Sequence, residues 1–198
     1  HAVRQAEFIL AGNTDLVLVT YADMPLLRPE TIKQLVKTQK VNKGPVTMLT
    51  VNTAHTRGFG RVVRGPDGSV KSIVEEAAAT EQQLSIQELN VGAYCFNAEW
   101  LWKALRKIQV SKKGEYYLTD TISLAVMEGL TVQAVVSDDL VDTIGINTRL
   151  HLAEAEGAMR LRINQAHMLA GVTIVDPAST YIEPGVKIGR DTVIWPNS

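Results

Sequence analysis

Residues 2–11 place Val3, Phe8 and Ile9 at helical spacing, and Asn13-Thr14-Asp15 ends the pattern. Residues 15–21 form a continuous apolar, β-branched run, the pattern of a strand buried on both faces of a parallel sheet. Pro29 suits a first helical turn, with Ile32, Leu35 and Val36 as its apolar face. Residues 46–51 are a second buried strand, so residues 15–51 predict a βαβ unit and an α/β fold. The middle of the chain changes character. Residues 58–64 and 70–74 read as two strands around the turn Gly65-Pro66-Asp67-Gly68. Residues 80–87 predict a loop or short helix, and 89–96 a further strand. Trp100, Leu101, Leu105 and Ile108 mark one helix and residues 118–127 another, before a last strand at 131–136. Residues 147–169 predict a long connecting helix, with Leu150, Ala153, Ala158, Leu161 and Met168 as its apolar contacts. In the tail the period becomes six: Ile182, Ile188 and Ile194 recur with Gly185 and Gly189 between them, the pattern of a hexapeptide β-helix.

With 198 residues, 45% of them hydrophobic, the chain suits one domain plus an addition. It carries 20 basic against 21 acidic residues, and no Lys or Arg run gives the footprint of a nucleic-acid or anionic membrane binder. No apolar stretch approaches the roughly 18 residues of a membrane span. The single Cys95 excludes a disulfide framework and reads as a buried, inert thiol. These features predict a cytoplasmic protein. A start at His1 without Met, and a β-helix pattern that stops at Ser198, predict a piece of a longer protein.

The candidate chemistry sits where the elements end. Asp23, in Tyr21-Ala22-Asp23-Met24-Pro25-Leu26, follows the carboxyl end of the first strand, where open α/β sheets bind ligands and a carboxylate suits Mg²⁺. It reads equally as a turn residue before Pro. Gly58-Phe59-Gly60 admits either close ligand approach or a plain bend, and Glu75-Glu76 either a ligand contact or a solvated edge. Asn90 lies among apolar neighbours and needs partners if buried. Thr119 and Asp120 are first-turn residues with capping as their simpler role, and Asn147 is a natural N-cap for the long helix. His1, His55, His151 and His167 share no metal-ligand spacing.

The order of these motifs is more specific than any one of them. YADMPL, GFGR, a strand ending Ile-Val-Glu, ELNVG, GEYYLTD, GIN before a long helix, and a hexapeptide tail together resemble one family over essentially the whole chain. It is the bacterial bifunctional N-acetylglucosamine-1-phosphate uridylyltransferase / glucosamine-1-phosphate N-acetyltransferase family. The resemblance implies a Rossmann-like nucleotidyltransferase domain over residues 1–146, with a mostly parallel sheet and an inserted β-hairpin. A connecting helix over 147–170 and the start of a left-handed β-helix over 171–198 would follow. It implies that Asp23 and Asn147 bind Mg²⁺ and that Tyr21 and Ala22 neighbour the nucleotide. Gly60, Glu75 and Asn90 would contact the amino sugar, with Tyr117 and Thr119 beside the sugar phosphate. Asn90 enters this reading as an amide able both to donate and to accept.

The implied reaction joins UTP and N-acetylglucosamine-1-phosphate into UDP-N-acetylglucosamine and pyrophosphate, for cell-wall precursors. It needs positioning and charge neutralisation more than a protein nucleophile. The intact family member also acetylates glucosamine-1-phosphate with acetyl-CoA and is a homotrimer. Two departures stand out: Ala22 replaces the usual Gly before the metal Asp, and Ala77-Ala78 replace a frequent Lys-Asp pair. The family's Gly-rich loop, its base-reading residues and its acetyl-transfer residues have no counterpart in the 198 residues. The residues alone leave room for another sugar-1-phosphate nucleotidyltransferase, or for a non-catalytic sugar-phosphate-binding module.

Overall fold

Six strands form the main sheet, and one of them, β5, organises the rest. The computed structural model describes residues 1–56, 58–111 and 114–198. Two short helical turns, α1 (Ala2–Gln5) and α2 (Glu7–Leu10), precede β1 (Leu16–Val19). Helix α3 (Pro29–Val41) opens on Pro29, with Glu30 in its first turn and Lys40 in its last, a charge order that complements the helix dipole. Strand β2 (Val46–Asn52) follows, then the hairpin of β3 (Arg61–Arg64) and β4 (Val70–Val74). Helix α4 (Glu81–Leu84) carries a full capping box between Thr80 and Gln83. After β5 (Glu88–Asn97), Asn97 caps α5 (Ala98–Leu105) by accepting from Trp100 N–H at 2.9 Å. Helix α6 (Asp120–Met127) and β6 (Val132–Val136) complete the body.

The sheet order is β4-β3-β5-β2-β6, with β1 also on β5. Strand β5 runs antiparallel to β1, β2 and β3, and β2 is parallel to β6. Hence β1, β2, β3 and β6 share one direction while β5 and β4 oppose them. The expected βαβ unit is present with β5 inserted between its two strands. Every residue of β2 except Asn52 is buried, because β5 and β6 flank it on both sides. Tyr94, Phe96, Met48, Leu101, Trp102 and Ile122 form the centre of the core. Each such side chain contributes about 1.5–3 kcal/mol by leaving water. Cys95 is fully buried, and desolvation pushes its thiol up to about 11, as an inert core thiol requires.

Two sequence expectations change. The first strand is not buried on both faces: Val17 is buried, but Leu18 is 40% exposed. Among the described residues β1 pairs only with β5, so its other edge and part of one face lack cover. The apolar contacts expected on the long helix differ too. In α7 (Arg149–Leu169) the buried residues are Ala155 and Asn164, while Leu150 and Leu161 are exposed.

The chain divides into two units: His1–Ala22 with Leu27–Thr143, and Asp23–Leu26 with Ile144–Ser198. In the second, Asp23 C=O accepts from Ile146 N–H at 2.8 Å, and Arg162 Nη1 donates to Leu26 C=O at 2.9 Å. These bonds stitch the short segment to the chain around α7. Asn164 Nδ2 donates to the carbonyls of Pro177 and Thr180, fixing the start of the tail. There β7 (Thr173–Ile174) pairs in parallel with β8 (Val193–Ile194). Ile182, Ile188 and Ile194 are the more protected residues in a largely exposed tail. Among the described residues this parallel pair is the strand pairing of the tail.

Candidate active site

Strand β1 ends at Val19 opposite Tyr94, and β3 begins at Arg61 opposite Leu89. Strand β2 lies on the other edge of β5, with its register shifted between Met48 and Thr50, opposite residues 91–93. Residues 90–93 therefore face no strand on the first edge among the described residues, and Tyr21, Gly60 and Asn90 meet at this gap. Gly92 takes φ +86°, and a Cβ there would lie 2.1 Å from Tyr21 Cε2. The Tyr21 ring thus rests on a backbone that only glycine can supply. Asn90 N–H donates to Gly60 C=O at 2.8 Å. A Cβ on Gly60 would meet Ile73 Cγ2 at 2.8 Å and Glu75 Oε2 at 3.5 Å, so Gly60 lets β3 and the end of β4 close on each other.

Glu75 is half-buried and accepts from Thr119 Oγ1 at 2.9 Å. Thr119 makes no capping bond to α6, so its hydroxyl serves Glu75 and not the helix. Beside Glu75, Arg61 is buried and donates to Phe59 C=O and, at 2.9 Å, to Glu76 Oε2. This bridge pins the start of β3 to the end of β4. Tyr21, Ala22, Glu75, Tyr117 and Thr119 line a cleft of about 670 Å³. Arg4, Arg106 and Tyr116 share its wall; the Arg106 guanidinium is held by Glu7 and by Trp102 C=O. Tyr117 donates its hydroxyl to Glu115 at 2.8 Å, and that carboxylate raises the phenol above its ordinary range. Arg4 and Arg106 carried no signal in the sequence, and Tyr116 only its place in GEYYLTD.

Behind the gap, Tyr94 is fully buried. Its hydroxyl donates to Asn90 Oδ1 at 2.9 Å, and Gly92 N–H donates to the same oxygen at 3.3 Å. Desolvation holds the Tyr94 phenol well above its ordinary range, so it stays a donor. Sequence reasoning passed over Tyr94, although Asn90, Gly92 and Tyr94 share parity on one strand.

Asp23 and Asn147 belong to the second unit, and both are exposed. The bond from Ile146 N–H to Asp23 C=O sets their segments side by side. Asn147 is not the N-cap of α7. Thr148 takes that place, accepting from His151 N–H at 3.2 Å, while Asn147 N–H donates to His151 Nδ1 at 3.3 Å. The Asn147 amide is thereby released from capping. A carboxylate and an amide carbonyl are both oxygen donors of the kind Mg²⁺ takes. Among the described residues no three His, Cys, Asp or Glu side chains group as metal ligands.

A mixed α/β sheet with its candidate residues at strand ends is the architecture of a nucleotide-transferring enzyme. The nucleotidyl transferase family model matches residues 1–151, and the chain belongs to that family. Across its full length the chain is 43% identical to the "Bifunctional protein GlmU" of Shouchella clausii and 40% identical to that of Bacillus subtilis. It is 44% identical to the protein of the same name in Clostridium perfringens. The chain spans 43–44% of the length of these three relatives. A putative glucose-1-phosphate thymidylyltransferase from Bacillus anthracis shares the fold, with a TM-score of 0.58 at 15% identity. That match covers 78% of this chain and 57% of the other. No helix is long and apolar enough to cross a membrane among the described residues.

Proposed function

We propose that the protein transfers a uridylyl group from UTP to N-acetylglucosamine-1-phosphate, releasing pyrophosphate. The observation that supports this most directly is the placement of Glu75. Thr119 holds it beside Gly60, on the wall of a cleft that also carries two guanidinium groups. Such a site offers a carboxylate to sugar hydroxyls and the Arg4 guanidinium to a phosphate, while Arg106 is paired with Glu7. A phosphate oxygen of the sugar phosphate attacks the α-phosphorus of UTP, and the bond to the pyrophosphate oxygen breaks. Asp23 and Asn147 would hold Mg²⁺, which supplies neutralisation of phosphate charge. Tyr21 and Ala22 would border the nucleotide. Glu75 and Asn90 would orient the sugar, and Tyr117 and Thr119 would flank its phosphate. The domain limits at 146 and 170, a left-handed β-helix from 171, a homotrimer and acetyl transfer from acetyl-CoA to glucosamine-1-phosphate belong to the same reading. The word "bifunctional" in the relatives' name supports a second activity, and the six-residue tail period supports the β-helix.

The test is pyrophosphate release by the native protein containing this chain, with UTP, N-acetylglucosamine-1-phosphate and Mg²⁺. Asp23→Ala should lower turnover at least ~100-fold, the scale for removing one preorganised electrostatic contact. It should also weaken Mn²⁺ binding followed by electron paramagnetic resonance. Activity within a few-fold of the parent would remove Asp23 from this role. Preference for another sugar phosphate would redirect the substrate assignment, and binding without pyrophosphate release would leave only a binding module.

A further inference from the structure

An amide is a two-sided group. Its oxygen accepts and its nitrogen donates, and which side a ligand meets depends on what already holds the other. At Asn90 both lone-pair directions of Oδ1 are taken, one by the Tyr94 hydroxyl at 2.9 Å and one by Gly92 N–H at 3.3 Å. The backbone N–H of Asn90 is spent on Gly60. Among the described residues Nδ2 makes no hydrogen bond, and it is not a sealed, orphaned group. It therefore reaches solvent from a residue that is only 6% exposed. Rotating the amide by half a turn would set its NH₂ against two donors, the Tyr94 hydroxyl and Gly92 N–H. The first could turn its proton away; the second could not.

We propose that Tyr94 is a positioning residue that fixes Asn90 as an obligate hydrogen-bond donor to an acceptor oxygen on the sugar phosphate. The acceptor class is a hydroxyl oxygen or an amide carbonyl oxygen, such as that of an N-acetyl group. Glu75 supplies the opposite polarity. One of its oxygens is engaged by Thr119, and the carboxylate can only accept. The site thus reads its ligand with one donor from β5 and one acceptor from the end of β4. Tyr94 touches no ligand in this scheme and acts through Asn90. Tyr94 is also the core partner of Phe96, with ring centroids 5.6 Å apart, so the same side chain ties the amide to the packed interior.

The proposal rests on Asn90 facing the sugar phosphate, and the experiment separates the two claims. Binding of N-acetylglucosamine-1-phosphate to the native protein is measured by calorimetry, alongside KM values for sugar phosphate and UTP. Asn90→Ala tests the underlying placement: unchanged sugar-phosphate binding would overturn it, and the proposal with it. Tyr94→Phe keeps the ring and deletes only the hydroxyl. It should weaken sugar-phosphate binding about tenfold, the factor that one lost hydrogen bond of ordinary strength gives; because the Tyr94 hydroxyl also meets the Tyr21 side chain, Tyr21→Phe serves as the control for any change in the UTP KM. In an Asn90→Ala background, Tyr94→Phe should have no further effect on binding. A full effect of Tyr94→Phe in that background, or none in the parent, would overturn the positioning role while leaving Asn90 in place. Asn90→Asp reads polarity at nearly constant shape, with its urea midpoint measured alongside to check the fold, and decides the matter if Tyr94→Phe folds poorly. An obligate donor predicts loss of binding at least as severe as in Asn90→Ala. Binding near the parent's would show that the residue accepts.

Discussion

Thr119 and Glu75 are 44 residues apart in sequence, and a 2.9 Å hydrogen bond joins their side chains across the edge of the cleft. The bond links the N-terminus of α6 to the residue that follows β4. Removing it frees a carboxylate that must be held in one rotamer to meet a ligand. Thr119→Val should therefore raise the KM for sugar phosphate about five- to tenfold, the equivalent of about 1–1.4 kcal/mol. The UTP term should stay within twofold. Steady-state kinetics with each substrate varied in turn checks this, and an effect confined to UTP would place the pair on the wrong half of the site.

Gly92 leaves no room for a side chain. Alanine there would set its methyl 2.1 Å from Tyr21 Cε2 at φ +86°. The strained backbone alone costs about 1–3 kcal/mol, before the ring is displaced. Gly92→Ala should lower the urea midpoint, and adding Tyr21→Ala should restore part of the loss by removing the clash. Equal midpoints for Gly92→Ala and the parent would contradict the close approach.

Cys95 gives a signed pH dependence. Its thiol titrates near the ordinary 9 when unfolded and about 11 when folded. Below pH 9 both states are protonated and the residue adds no pH dependence. Between pH 9 and 11 the unfolded thiol ionises first, so the folded state loses stability, on the order of 2–3 kcal/mol by pH 11. Cys95→Ala should flatten that part of the stability curve. The remaining alkaline fall comes chiefly from tyrosines such as Tyr94, whose phenol burial also raises. A parallel pair of curves would refute the assignment.

Asp142 is a fully buried carboxylate that accepts from Arg28 Nε at 2.9 Å and from Thr31 Oγ1 at 2.5 Å. This joins the N-terminus of α3 to the turn Leu140–Thr143 and draws the Arg28 pKa upward. Asp142→Ala should cost roughly 3 kcal/mol, the lower end for breaking a buried pair, because Arg28 keeps Asp138 and some water. Thr31→Val should cost only about 1 kcal/mol. Chemical denaturation of both variants checks the ratio.

The elements legible in the sequence were those whose burial follows from local pattern. Residues 46–51 read as a buried strand, and Gly65-Pro66-Asp67-Gly68 announced the hairpin, since both signals are complete within a few residues. Leu18 misled because a run of apolar residues cannot reveal whether a second strand covers it. Leu150 and Leu161 misled for a similar reason: the protected stripe of α7 is chosen by the tail, through Asn164, and not by the helix's own composition. At the site, Tyr21, Gly60, Glu75, Asn90 and Thr119 were legible as chemistry at strand and helix ends. Their mutual bonds were not. Thr119 and Asn147 both looked like caps, and only the fold gives one to Glu75 and the other's capping duty to Thr148.

Strands β1 and β3 lie against separate stretches of β5, and no ladder joins them to each other among the described residues. The distance between the two flanks of the cleft is therefore set by how many residues of β5 separate their pairings. That strand serves as a ruler. Between Asn90 and Tyr94 the ladder to β2 already shifts register and Gly92 takes φ +86°, so inserting or deleting one residue there would displace one flank relative to the other. The number of residues between Leu89 and Tyr94 is therefore constrained, and length there should be more strictly inherited than sequence.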